Sequence, residues 1–224
     1  MTPEQLTGQT ESHLTEMLIG EKYFLTHPQV QSDLHRLVEA AHAAGFKLEI
    51  ASGFRSYARQ ASIWNNKFSG QRTILDSNSQ PINFDSLSEQ ERMWAILRWS
   101  ALPGASRHHW GCDFDVFSRT CLPGDTQLQL EPWEYLTGHQ KAFYDWMLTN
   151  LEKYHFFFPY SKDLGGVAIE PWHISHRSIS KDCLSLLSPL ILGNQLLSEP
   201  ILGQAIIIDQ LDHIYSQFIG NISD

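Results

Sequence analysis

The stretch Ser106-Arg-His-His-Trp-Gly-Cys-Asp-Phe-Asp115 decides how the rest of the chain is read. It runs from a turn into a strand over residues 112–117. His108 lies before that strand and Asp115 along it, so the two can face one site, and Gly111 lets the backbone bend tightly between them. Spacing alone does not say whether His108 or its neighbour His109 faces that site. A second patch, Glu170-Pro-Trp-His173, supplies what the first lacks. Together they offer two imidazoles and a carboxylate (His108, Asp115, His173), with Glu170 left over three residues before the last of them. Three protein ligands and an open fourth position is the arrangement of a catalytic rather than a structural zinc. A water at that position is acidified by the metal, and a nearby carboxylate can deprotonate it. Glu170 is the candidate for that base. The segment is not the helical His-Glu-x-x-His pattern, because Pro171 interrupts it.

Outward from this stretch, the chain has 224 residues, enough for one domain or one domain with an appendage. Its 42% hydrophobic content argues against disorder. With 25 acidic against 16 basic side chains, the net charge of -9 excludes a generally basic nucleic-acid surface. No run of eighteen apolar residues is present, so no membrane span is expected. The first residues carry neither a basic segment nor an apolar one, and the three cysteines are widely spaced. Both features point to a reducing, cytoplasmic setting.

Upstream, Leu14, Met17 and Leu18 fall at helical spacing and predict a helical lead-in over residues 1–20. Leu34, Leu37, Val38 and Ala41 predict an amphipathic helix over 31–44, stopped by Gly45. Residues 46–51 alternate as a strand. The segment Ser52-Gly-Phe-Arg-Ser-Tyr-Ala-Arg-Gln60 then turns into a helix capped by Ser56. This puts Arg55 at a strand–helix junction. Residues 69–90 read as an irregular insertion, of the kind that forms lids or binding edges. A helix over 87–99 is announced by Ser88 and Glu91 in a capping-box arrangement. A second insertion spans 118–135, and an amphipathic helix covers 138–154. Val167 to Ile169 is expected to enter the Glu170 patch as a strand. Residues 181–219 form one or two apolar helices, which either cover the core or make a dimer contact. The domain reading is 1–180 for the main body with its helical lead-in, and 181–224 for a helical extension packed on it.

Ser106-x-His108-x-x-Gly111-x-x-x-Asp115 followed by Glu170-x-Trp172-His173 resembles the zinc D,D-carboxypeptidases and dipeptidases of the M15 peptidase family. These are the VanY-type enzymes of the LAS group, which cut peptidoglycan peptides. Ser52-Gly-Phe-Arg55-Ser-Tyr-x-x-Gln60 resembles that family's Ser-Gly-Tyr-Arg-Ser segment. The three motifs stand in the family's order over roughly residues 30–176. The resemblance implies an α+β fold, a small antiparallel sheet flanked by helices of the hedgehog/D,D-peptidase kind, with strands near 47–51, 112–117 and 167–173. It implies zinc on His108, Asp115 and His173, Glu170 as catalytic base, and Arg55 stabilising the oxyanion. Ser106, Gln60 and Trp172 become substrate contacts.

The implied reaction is hydrolysis of a terminal D-Ala-D-Ala bond in a peptidoglycan-derived peptide. The alternatives are L,D-carboxypeptidase or endopeptidase action on muropeptides, or a zinc-bearing module that binds such peptides without turnover. The family usually has a small residue where this chain has Asp113. Two residues from Asp115 on a strand, Asp113 shares its face. It is open to three roles: pointing into the site, supporting a ligand from behind, or competing as one.

Overall fold

The computed structural model describes residues 1–223. A single helical turn, α1 (Pro3–Leu6), is closed by a reciprocal cap between Thr2 and Gln5. The rest of the expected lead-in is not helical. Residues 15–26 form a hairpin of β1 (Thr15–Ile19) and β2 (Lys22–Thr26). Gly20, at φ +62°, makes the reversal between them. The spacing of Leu14, Met17 and Leu18 is too short a run to separate helix from strand. Leu18 is 52% exposed, so it anchors no helix face.

The helix α2 (Gln31–Ala43) buries Leu34, Leu37 and Ala41. Gly45, at φ +89°, reverses the chain after it into β3 (Leu48–Ser52). Ser56 caps α3 (Tyr57–Phe68), accepting from the Arg59 amide. The capping box at Ser88 and Glu91 opens α4 (Glu89–Leu97). The motif strand is β4 (Asp113–Ser118). After it come α5 (Pro132–Leu136), α6 (Lys141–Asn150), β5 (Phe156–Phe157) and β6 (His173–His176). The chain ends through α7 (Arg177–Leu186), α8 (Pro189–Ser198), α9 (Gln204–Asp209) and α10 (Leu211–Ile214). The expected extension 181–224 includes residue 224, which lies outside the described residues.

Four strands pair antiparallel in the order β3-β4-β6-β5. This α+β arrangement of a small antiparallel sheet with helices around it is the expected fold. Phe114 and Val116 point to the apolar face, and Ile174 pairs with Phe114 there. The opposite face of the same strands carries Asp113, Asp115, His173 and Ser175. The β3–β4 register shifts between Ile50 and Ser52, so Ser52 stands opposite Asp115. The extra residue turns Ser52 onto the polar face.

Residues 167–169 are not a strand, contrary to expectation. The His173 amide bonds to the Glu170 carbonyl at 3.1 Å, closing a turn through Pro171 and Trp172. Proline sets the φ that such a turn needs at its second position. The strand therefore begins only at His173.

The C-terminal helices bury Leu192, Leu196, Ile207 and Ile214 in the same apolar cluster as the sheet. Tyr57 donates to the Glu199 carbonyl (2.6 Å) and Trp64 to the Leu202 carbonyl (3.0 Å), so the segment between α8 and α9 backs α3. No helix among the described residues is long and apolar enough to cross a membrane.

Candidate active site

The polar face of β4 and β6 opens into a cleft of about 270 Å³. Asp115 and His173 are cross-strand partners, which brings the two ends of the motif together. His108 arrives from the 3-10 turn Arg107–Trp110, and Gly111 ends that turn in the left-handed region at φ +69°. A side chain at Gly111 would run into Leu14 Cδ2 and the His27 amide. The His27 amide also bonds to the Gly111 carbonyl at 2.8 Å, so the N-terminal hairpin clamps the motif turn.

Each of the two imidazoles is aimed by a hydrogen bond at its other nitrogen. His108 Nδ1 lies 2.9 Å from the Gly53 carbonyl, which can only accept, so the ring proton sits on Nδ1 and Nε2 is free to face the site. His173 Nε2 lies 3.0 Å from Asp113 Oδ1, which leaves Nδ1 facing the site. His108 Nε2, an Asp115 oxygen and His173 Nδ1 all lie within 4.8 Å of one another and are buried. Asp115 Oδ1 is buried without a hydrogen-bond partner; His173 Nδ1, at 3.4 Å, is close but not bonded to it. Two imidazole nitrogens and a carboxylate oxygen fit a divalent cation of the zinc type.

The electrostatics also favour a cation. Burial alone would lower the pKa of His173. Hydrogen bonds to Asp113 and Glu170, with the charges of Asp115 and Asp113, more than offset this and raise it to about 9. Burial penalises the charge on Asp115, but His108, His173 and Arg55 hold its carboxyl below the usual range.

Asp113 lies outside the candidate ligand group. It is fully buried behind His173, accepting from Arg107 Nε at 2.7 Å and from the Cys112 thiol at 3.1 Å. Arg107 donates as well to Ser175 Oγ at 2.6 Å. Burial would raise the Asp113 carboxyl, but Arg107 and His173 keep it well below the carboxylate range. Asp113 is thus a permanent anion that orients His173. The adjacent His109 is off the site: its Nδ1 meets the Arg55 carbonyl at 2.5 Å and its Nε2 accepts from the Gly104 amide. Burial lowers its pKa to about 3, so it is a neutral brace.

Glu170 Oε2 stands 3.2 Å from His173 Nδ1, on the rim of the ligand group. Arg55 Nη2 reaches to 3.9 Å from Asp115 Oδ2 and donates to Ser52 Oγ at 2.9 Å. Ser106 and Trp172 line the cleft. Gln60 does not, contrary to expectation. It is fully buried, with its amide oxygen taking Arg55 Nη1 (2.9 Å) and its nitrogen donating to the Ala101 carbonyl (2.7 Å). Gln60 holds Arg55 rather than a ligand.

Two further cleft residues, Lys67 and Tyr160, were not singled out by sequence reasoning. Tyr160 packs edge-on against His173, 5.2 Å between ring centres. Lys67 did leave a signal: it shares the inward face of α3 with Gln60 and Trp64, where a charge is unusual.

Residues 24–179 match the family described as VanY, D-alanyl-D-alanine carboxypeptidase. A Haemophilus influenzae protein described only as uncharacterized is 36% identical over 121 residues, covering 53% of this chain and 92% of that protein. The solved structure of VanYB in complex with D-alanine-D-alanine is similar at a TM-score of 0.53 and 23% identity, over 85% of this chain and 91% of the other. A vancomycin-resistance D,D-pentapeptidase VanY mutant in complex with Zn(II) gives a TM-score of 0.51 at 23% identity, over 75% and 82% of the two chains. Likeness at this identity shows a shared fold.

Proposed function

Because the chain belongs to the VanY D-alanyl-D-alanine carboxypeptidase family, we propose that it is a zinc-dependent carboxypeptidase releasing the terminal D-alanine of peptidoglycan-derived peptides. The observation that carries this reading is the convergence of His108 Nε2, Asp115 and His173 Nδ1 within 4.8 Å, with Glu170 beside them. Zinc on these three atoms would supply Lewis acidity, lowering the pKa of water and polarising a carbonyl. A neighbouring family structure holds Zn(II), which supports the choice of metal.

The remaining work falls to side chains. Glu170 accepts a proton from the attacking water as the water oxygen bonds to the scissile carbonyl carbon. The same carboxyl returns that proton to the amine as the C–N bond breaks. Arg55, held by Gln60 and Ser52, presents a fixed guanidinium to the oxygen that becomes negative. Its rigidity matters because a preorganised donor needs no rearrangement as charge develops. Asp113 and Gly53 keep the two imidazoles in their ligand tautomers. Ser106 and Trp172 contact the substrate backbone along the cleft wall.

The test is release of D-alanine, followed by mass spectrometry, from peptides ending in D-Ala-D-Ala and from tetrapeptides ending in a single D-alanine. Wild-type protein with about one zinc per chain is expected to act on the first set. Glu170→Gln should keep its metal and lose turnover by at least about 10³-fold, as expected when a general base is removed. Full activity in that variant, or a chain that cannot be loaded with zinc, would overturn the reading.

A further inference from the structure

Three Lys or Arg side chains line the cleft, and two of them are already committed. Arg55 is tied to Gln60 and Ser52 and faces Asp115. Arg107 is tied to Asp113 and Ser175 behind His173. The third is Lys67, on the last turn of α3. Its ammonium donates to Ser100 Oγ at 2.7 Å. Among the described residues it makes no other hydrogen bond and no ion pair. An ammonium carries three donors, so two remain for the cleft. Lys67 lines the same space as His108, Asp115, His173 and Glu170.

An ammonium held partly out of water without a counter-charge costs free energy. The cost shows in its protonation. Burial, with help from Arg72 and Arg55, lowers the Lys67 pKa to about 8, and Glu170 opposes the shift without pairing to it. A chain seldom keeps such a group on the inward face of a helix unless something in the cleft answers its charge.

We propose that Lys67, steadied by Ser100, binds a carboxylate of the substrate and so determines which peptides the cleft accepts. This rests on the carboxypeptidase reading for the identity of the substrate, though not for the carboxylate chemistry. A peptide of the proposed class carries such a group at its C-terminus, and some carry another on a diaminopimelate side chain. The ammonium's freedom to turn suits a single point-charge contact with either one. The same assignment fills the gap left by Gln60, which the structure turns away from the cleft.

Calorimetry on the zinc-loaded Glu170→Gln protein separates binding from turnover. Four peptides are compared: one ending in free D-Ala-D-Ala, its C-terminal amide, and the same pair with lysine in place of diaminopimelate. With Lys67 present, removing the recognised carboxylate should weaken binding about ten- to hundredfold, the range for a charged hydrogen bond. Lys67→Met should lower affinity by that factor for the peptides that carry the recognised carboxylate and leave those without it unchanged, with zinc content intact. Lys67→Arg should restore part of the loss. Selectivity lost between acid and amide identifies the terminal carboxylate, and selectivity lost between diaminopimelate and lysine identifies the side chain. Either result supports the proposal.

In wild-type kcat/KM, a descending limb near pH 8 is expected as the ammonium loses its proton, and Lys67→Met should lack it. Equal binding of all four peptides by the Lys67 protein would overturn the proposal. So would an equal loss for all four in Lys67→Met. If wild-type protein releases no D-alanine yet binds acids selectively through Lys67, the carboxypeptidase reading fails and this one stands.

Discussion

The inner and outer ends of the cleft are built differently. At the inner end, the proposed ligand residues stand on paired strands or on a turn ended by Gly111, and each imidazole has its other nitrogen bonded to a fixed acceptor. At the outer end, the wall is made by Leu75 from one insertion and by Gln129, Leu130 and Glu131 from the other. Gln129 is exposed, and Leu130 sits at φ +58° in an irregular run before α5. The contrast shows how the two tasks divide. Chemistry needs atoms held within tenths of an ångström by backing bonds. Recognition tolerates a wall assembled from loops, and loops can vary without disturbing the sheet.

The sharpest way to break this contrast is at the inner end. Asp115→Ala removes one of the three proposed ligands and leaves His108 and His173 with no carboxylate between them. Metal retention after gel filtration should be lost, and turnover should fall at least about 10⁴-fold, as for other members of a catalytic unit that act together. The fold should persist, because Asp115 lies on the polar face and contributes nothing to the apolar packing of Phe114 and Val116. Near-normal zinc content in this variant would mean that the metal sits elsewhere.

A smaller effect tests the support behind the ligands. Asp113→Ala frees His173 to turn and should weaken zinc binding about 10- to 100-fold, the range for lost outer carboxylates. It also strands Arg107, whose Nη1 already lacks a partner. An unpaired buried charge of this kind costs about 3–5 kcal/mol, readable as a lower urea midpoint. The double variant Arg107→Met/Asp113→Ala separates the two roles: stability should largely return while zinc affinity stays low. If affinity returns with stability, Asp113 serves the fold and not the metal.

The inner end was also the part most legible from sequence. Its proposed ligands travel in two short segments, and a strand's two-residue period places Asp113 and Asp115 on one face without reference to the rest of the chain. The helices announced by Ser56, Ser88 and Gly45 were legible for the same reason: caps are local. The misreadings arose where long-range partners decide. Gln60 lies on the inward face of α3 and reads as a substrate contact until Arg55 and the Ala101 carbonyl take up its amide. Lys67 acquires meaning only beside Ser100, 33 residues away. The strand expected over 167–169 gave way to a turn because Pro171 suits the turn position, and Glu170 is brought next to His173 as a result. The hairpin over 15–26 was hidden by apolar residues whose spacing suits a helix, although Met17 and Leu18 pair with Phe24 and Tyr23 on the other strand.

The smallest effect belongs to the outer wall, and it sharpens the comparison by being small. Gln129→Ala removes an exposed amide from the rim, while its backbone nitrogen remains bonded to Glu134. Glu134 in turn is held by His139 and caps α5, so the loop keeps its path. The loss of one solvent-exposed hydrogen-bonding group should raise KM about two- to fivefold, with kcat and zinc content unchanged. Steady-state kinetics on a D-Ala-D-Ala peptide reads all three together with metal analysis. A fall in kcat without a change in KM would place the rim in the chemical step and erase the division between the two ends. A KM effect alone means that substrate preference can be altered through residues 129–131 while the bonds that aim His108 and His173 stay intact.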